Sequence, residues 1–171
     1  MGFVFEKVDL GAAMAIVGWK YPAPYHVYNL NDSTLALARL VDGPYFAARF
    51  DGELMGFFCY GTAARLNGKK DSELYSSRAY LDVGLGMHPA WCGRGKGLGF
   101  VRSGLLFARS QDWQGGFRLT VASNNTRART VYARLGFEEI GRIVWDSPLN
   151  RDFVVMTLDS CEPTVQVVAD H

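Results

Sequence analysis

Residues 3–8 alternate apolar and polar side chains and predict a first strand. Residues 10–17, with Ala12, Ala13, Met14 and Ile16, have the composition of a helix. After Gly18 the periodicity gives way to an aromatic stretch, Trp19, Tyr21, Tyr25, His26 and Tyr28, interrupted by Pro22 and Pro24. Each proline fixes its own backbone and restricts the residue before it, so no regular structure is expected there. Asn31-Asp32-Ser33 offers N-caps for a short helix over 34–40. Strand patterns over 45–50 and 54–60 flank Asp51-Gly52, the signal for a tight hairpin turn. Residues 62–78 are polar and predict a long, solvated and flexible connection.

The second half reads as strand, loop, helix, strand, helix and a closing strand pair. Residues 80–87 place Leu81, Val83, Leu85 and Met87 on one face and Asp82, Gly84, Gly86 and His88 on the other. Two glycines along one face mark either a close-lying ligand or no more than a twisted strand with a solvated Asp82. A helix over 98–111, stopped by Gly115-Gly116, leads to a strand at 117–121, and that order predicts a parallel crossover. The next helix runs to Arg134, with Ala128, Val131 and Leu135 as its buried stripe and Tyr132 at the border of that stripe. Residues 138–145 and 152–158 form an antiparallel pair across Pro148-Leu149-Asn150. The expected domain spans 1–159, and 160–171 is a tail in which 165–168 could add an edge strand.

Composition narrows the class without naming it. A chain of 171 residues with 49% apolar and 20% charged side chains is globular and large enough for a single domain with a sizeable core. The net charge of +1 gives no support for a nucleic-acid or acidic-membrane partner, and no apolar run is long enough to span a bilayer. Cys59, Cys92 and Cys161 are odd in number and lack metal-ligand spacing, so reduced thiols, no metal and a cytoplasmic location are expected.

Chemistry concentrates where the strand at 80–87 ends. Pro89 stops it, a basic glycine-rich loop follows, and Arg94 and Lys96 stand just before a helix N-terminus whose amides lack partners. Such a turn is a receptor for phosphate or pyrophosphate. The order Lys96-Gly97 is reversed from a P-loop, and Gly95-x-Gly97 is followed by Phe100 where a dinucleotide fingerprint needs glycine. What fits is hydrophobic-x-hydrophobic-x-Pro at Leu85, Met87 and Pro89, then Arg-x-x-Gly-x-Gly at Arg94, Gly97 and Gly99. This resembles the pyrophosphate-binding motif of the GCN5-related N-acetyltransferases (GNAT). Leu119-x-Val121, Asn125, Ala128, Tyr132 and Leu135-Gly136-Phe137 resemble that family's second motif, in the family's order.

The resemblance implies an α/β (α+β) single-domain fold. Its centre is a mixed, mostly antiparallel twisted sheet of about seven strands with about four helices, the parallel strands splaying at the cofactor site. It implies an acetyl-CoA-dependent N-acetyltransferase acting on a primary amine of a small molecule or peptide. A non-catalytic coenzyme A-binding regulatory module of the same fold is the alternative. Leu85, Gly86, Met87, Arg94, Gly95, Lys96, Gly97, Leu98, Gly99 and Asn125 would hold the cofactor, and Tyr132 would protonate the leaving thiolate. For the base, Asp82 comes first and His88 second, with ordered water able to serve instead. Trp19, Tyr21, Tyr25 and Tyr28 either cap one end of the core or form the acceptor wall. A sheet edge at the tail leaves a homodimer open.

Overall fold

The computed structural model describes residues 2–23, 25–30, 33–145 and 151–160. The first strand, β1 (Phe3–Lys7), leads into α1 (Leu10–Val17), which Asp9 caps by accepting the Ala12 N–H at 2.8 Å. The aromatic stretch forms a short 3-10 turn over Tyr25–Tyr28, and α2 (Thr34–Asp42) follows under a Ser33 cap. The hairpin is β2 (Tyr45–Phe50) and β3 (Glu53–Tyr60), with Asp51 and Gly52 at φ 50° and 82°. Two residues with positive φ are what a tight turn matching the strand twist requires. Then come β4 (Tyr80–Met87), α3 (Gly97–Ser110), β5 (Gly116–Ala122), α4 (Thr126–Arg134), β6 (Glu138–Trp145) and β7 (Arg151–Leu158). Residues 148–150 and 165–168, read as a turn and an edge strand, lie outside the described residues.

One sheet of seven strands runs in the order β1-β2-β3-β4-β5-β7-β6, and only β4 and β5 pair in parallel. This is the mixed, mostly antiparallel sheet with flanking helices expected from the sequence. Phe58, Phe100, Val101, Leu105, Phe117 and Val121 form the main core under α3. The opposite face carries α1 and α2 over Val8, Ile16, Leu40 and Ala47. Removal of these side chains from water, at about 25 cal/mol per Å² of apolar surface, is chiefly what holds the layers together.

The connection at 62–78 is not the solvated, flexible loop that its polarity suggested. It contains 3-10 turns over Gly61–Ala64 and Glu73–Tyr75, and packs Tyr75, 2% exposed, against Ile143 and Val155. The Tyr75 hydroxyl accepts the Leu66 N–H at 3.2 Å and lies 2.6 Å from the Thr120 hydroxyl. One aromatic residue thus docks a chain segment whose other side chains are mostly polar.

The fold places a defect at its centre. Pairing between β4 and β5 covers only Tyr80, Leu81 and Asp82 against Gly116, Phe117 and Arg118, after which the strands part. β4 stays paired with β3 to Met87 and β5 stays paired with β7 to Ala122, so both strands continue with one open edge each. Those facing edges carry backbone donors and acceptors that require a partner from elsewhere.

Candidate active site

The parted strands open a cleft of about 260 Å³ lined by residues 83–87 of β4, Leu119, Thr120 and Val121 of β5, the loop before α3, and α4. The His88 N–H donates to the Met55 carbonyl on β3 at 2.7 Å. Alternation along the strand therefore turns the backbone groups of Val83, Leu85 and Met87 away from β3 and toward the cleft. The Met87 carbonyl agrees, since it accepts the Tyr21 hydroxyl from the cleft side at 2.7 Å.

The two strand glycines do not open this space. A Cβ at Gly84 would lie 2.6 Å from the Cys59 sulfur, and one at Gly86 would strike the Phe57 ring. Both point into close packing on β3, so the glycines let that face close up and leave no groove for a ligand arm.

At the end of β4 the chain turns through His88 and a 3-10 turn at Pro89–Trp91 into the glycine loop. Gly93 and Gly95 both take φ 72°, the left-handed conformation that glycine adopts without strain. Lys96 stands at the N-cap of α3 and provides no side-chain cap. Among the described residues, no protein acceptor takes any backbone N–H from 93 to 99. This unbroken run of free amides, at the positive end of a helix, has the geometry that suits an anion. Gly97 keeps α3 close to α4, because a Cβ there would sit 3.2 Å from Val131.

Tyr132 is more central than its sequence position suggested. It is the buried residue of α4, 7% exposed, and its ring packs against Phe137, while Ala128, Val131 and Leu135 flank it half-buried. Its hydroxyl has no hydrogen-bond partner among the described residues, and no fully buried side-chain polar atom there lacks one. The hydroxyl must therefore open to the cleft it lines. Burial pushes its phenol well above the ordinary tyrosine value, and the nearby Tyr28 phenol adds to the shift.

Asn125 caps α4 by accepting the Ala128 N–H at 3.2 Å, and its amide nitrogen reaches the Tyr28 hydroxyl at 3.3 Å. Tyr28 also takes the Ala122 N–H at 3.0 Å. The aromatic stretch is thus a strap tied at both ends, by Tyr21 to the last residue of β4 and by Tyr28 to the last residue of β5. Between these ties the Tyr25 ring lies 4.4 Å from the Arg127 guanidinium, and Arg127 reaches from α4 toward Gly93. Arg127 was missed in the sequence, although it stands in the first turn of α4, two residues past the Asn125 cap.

Three residues read as site groups lie elsewhere. Trp19, 8% exposed, belongs to the core under α1, packed against Phe57 and His88, while the three tyrosines of its segment line the cleft. Asp82, 3% exposed, binds Arg118 through both oxygens at 2.6 and 2.8 Å and Arg65 at 2.9 Å. It does not line the cleft, and both of its oxygens are engaged by guanidiniums. The His88 Nδ1 accepts the Ala90 N–H at 3.0 Å, and its ring lines a separate shallow groove with Trp19, Trp91 and Arg94. The Arg94 guanidinium lies over Trp91 at 5.9 Å, and Lys96 and Gly99 are exposed beside the cleft.

A family model described as the acetyltransferase (GNAT) family matches residues 12–137. No curated protein matches the sequence. Among solved structures, a GNAT-family acetyltransferase from Bacillus anthracis is 12% identical, with a TM-score of 0.69 over 94% of this chain and 96% of that one. The aminoglycoside acetyltransferase AAC(6')-Ib, solved with coenzyme A, is 14% identical, with a TM-score of 0.69 over 92% and 95%. A spermidine N-acetyltransferase SpeG chimera from Vibrio cholerae and hSSAT is 16% identical, with a TM-score of 0.68 over 94% and 96%. At these identities the likeness is one of fold.

Proposed function

The chain belongs to the acetyltransferase (GNAT) family, and from that premise we propose that it moves an acetyl group from acetyl-CoA to a primary amine of a small molecule or peptide. The observation that carries this reading is the run of unpartnered amides over 93–99, set beside the open edge of β4. Those amides fit a pyrophosphate, with Arg127 supplying a guanidinium from the other wall. The backbone groups of Leu85 and Met87 fit an amide-bearing arm laid along the strand as a pseudo-strand.

Bound acetyl-CoA would supply an acetyl group activated as a thioester, with coenzyme A leaving as the free thiol when the acetyl group passes to the amine. The chain's own task is then to position and to manage protons. Tyr132 holds a proton that burial keeps in place at neutral pH, as an acid for a sulfur leaving group must. The free Met87 N–H, turned away from β3 by the strand's alternation, is aimed to stabilise developing negative charge on a carbonyl oxygen. An aliphatic amine titrates near ~10.4 and must lose its proton before attack. Among the described residues no Asp, Glu or His lines the cleft, so water carries that proton away. The lining of tyrosines without carboxylates favours an uncharged or aromatic amine over a polycation.

The test is calorimetric titration of acetyl-CoA into wild type and Tyr132→Phe, followed by an amine panel scored by thiol release. One-to-one binding by both proteins is expected, with turnover in the variant reduced roughly 10²–10⁴-fold. Absence of binding to either protein would overturn the glycine loop as a pyrophosphate site, and full turnover by the variant would remove Tyr132 from the chemistry.

A further inference from the structure

The hydrogen bonds of the Tyr28 hydroxyl among the described residues can be assigned donor by donor. The Asn125 Oδ1 accepts the Ala128 N–H, which fixes the amide so that its nitrogen faces Tyr28. That nitrogen is a donor, and so is the Ala122 N–H. The phenol oxygen accepts from both and has one proton to donate. Among the described residues nothing accepts that proton. The O–H therefore projects into the cleft that Tyr28 lines together with Tyr132. It is a donor there and cannot act as a base.

We infer that Tyr28 is a second hydrogen-bond donor to the coenzyme, whose O–H reaches the sulfur beside Tyr132 as negative charge develops on it. The inference rests on the reading of the cleft as an acetyl-CoA site. The two tyrosines divide the work by their surroundings. Tyr132 lacks partners and transfers its proton. Tyr28 is held in place by two N–H donors and stabilises charge through a charge-assisted hydrogen bond. The same two donors polarise the phenol and offset part of the rise that burial imposes on it, and Arg151 acts in the same direction. Tyr28 comes from the strap between α1 and α2, so this donor lies outside both motifs that mark the site in the sequence.

The experiment follows the thiolate absorbance of bound coenzyme A against pH, without turnover, in wild type, Tyr28→Phe and Tyr132→Phe. Loss of a hydrogen bond to a charged acceptor lowers the thiolate fraction at a given pH by about tenfold or more. A shift of that size in Tyr28→Phe is the expected result. Monofluorotyrosine at position 28 keeps the oxygen and the fold but is a stronger donor, and it should shift the thiol the opposite way. A shift in Tyr132→Phe with none in either Tyr28 variant overturns the inference and leaves the site reading standing. A shift in the Tyr28 variants alone supports the inference and counts against Tyr132. No shift in any variant overturns both.

Discussion

Asp82 and Arg118 face each other across the last paired rung of two parallel strands and bind through both carboxylate oxygens at the point where the strands part. Arg118 is 1% exposed, donates also to the Ser77 carbonyl at 3.1 Å, and lies over the rings of Tyr75 and Tyr80. The pair closes the vertex of the cleft with a fixed geometry and so governs the site's shape.

Asp82→Asn should destabilise the fold by about 3–5 kcal/mol, because it leaves a buried guanidinium without its counter-charge. For a chain of this size that is on the order of 10 °C in Tm, measurable by thermal unfolding. A variant with unchanged Tm and abolished turnover would instead restore Asp82 as a catalytic base.

Gly95→Ala separates backbone from side chain in the glycine loop. Nothing lies within 4 Å of a Cβ there, so the only penalty is the left-handed φ of 72°, about 1–2 kcal/mol for an alanine. The loop should relax by turning its amides out of line. The expected result is about tenfold weaker acetyl-CoA binding by calorimetry at a nearly unchanged Tm.

Gly86→Ala should act in the opposite way, on stability more than on binding. Its Cβ would strike the Phe57 ring on the face away from the cleft, an overpacking that costs about 1–3 kcal/mol. Adding Phe57→Leu should recover most of the loss in a denaturant titration. Failure of that rescue would mean that Gly86 serves the cleft after all.

High pH should unfold the protein from the inside. Burial holds the Tyr21, Tyr45, Tyr60 and Tyr132 phenols above their ordinary value of 10.0, whereas in the unfolded chain they ionise near it. Above about pH 10 the unfolded state therefore binds fewer protons than the native state, and stability falls as pH rises. Below that pH the contribution is complete. Phenolate absorbance should then appear together with loss of structure, whereas a gradual rise in the folded protein would show the phenols to be exposed.

Much of this was legible in the sequence because it is written locally. Period-2 alternation marked the strands, Asp51-Gly52 marked the hairpin, and the glycine loop followed by an uncapped helix marked the anion site. What escaped depends on distant partners. Asp82 read either as the base or as a solvated strand residue, and neither reading could see Arg118 and Arg65 coming to it through the fold. Tyr132 looked marginal because the helix stripe was centred on its smaller neighbours, but the ring turns inward against Phe137. The strap's two ties join residues 66 and 94 positions apart, and no spacing rule covers such a bond. Trp19 shares its segment's composition and none of its role, since it falls on the core side of the strap.

The two walls of the cleft differ in what substitution can alter. One offers main-chain amides, which every residue except proline possesses, so most side-chain changes at 93–99 leave them in place and only the left-handed Gly93 and Gly95 and the close-packed Gly97 are fixed. The other wall is a strap of ring side chains hung between two hydroxyl ties. Its middle can be rewritten while both ties hold. Descendants of this chain are thus free to change the molecule they modify while keeping the donor that modifies it.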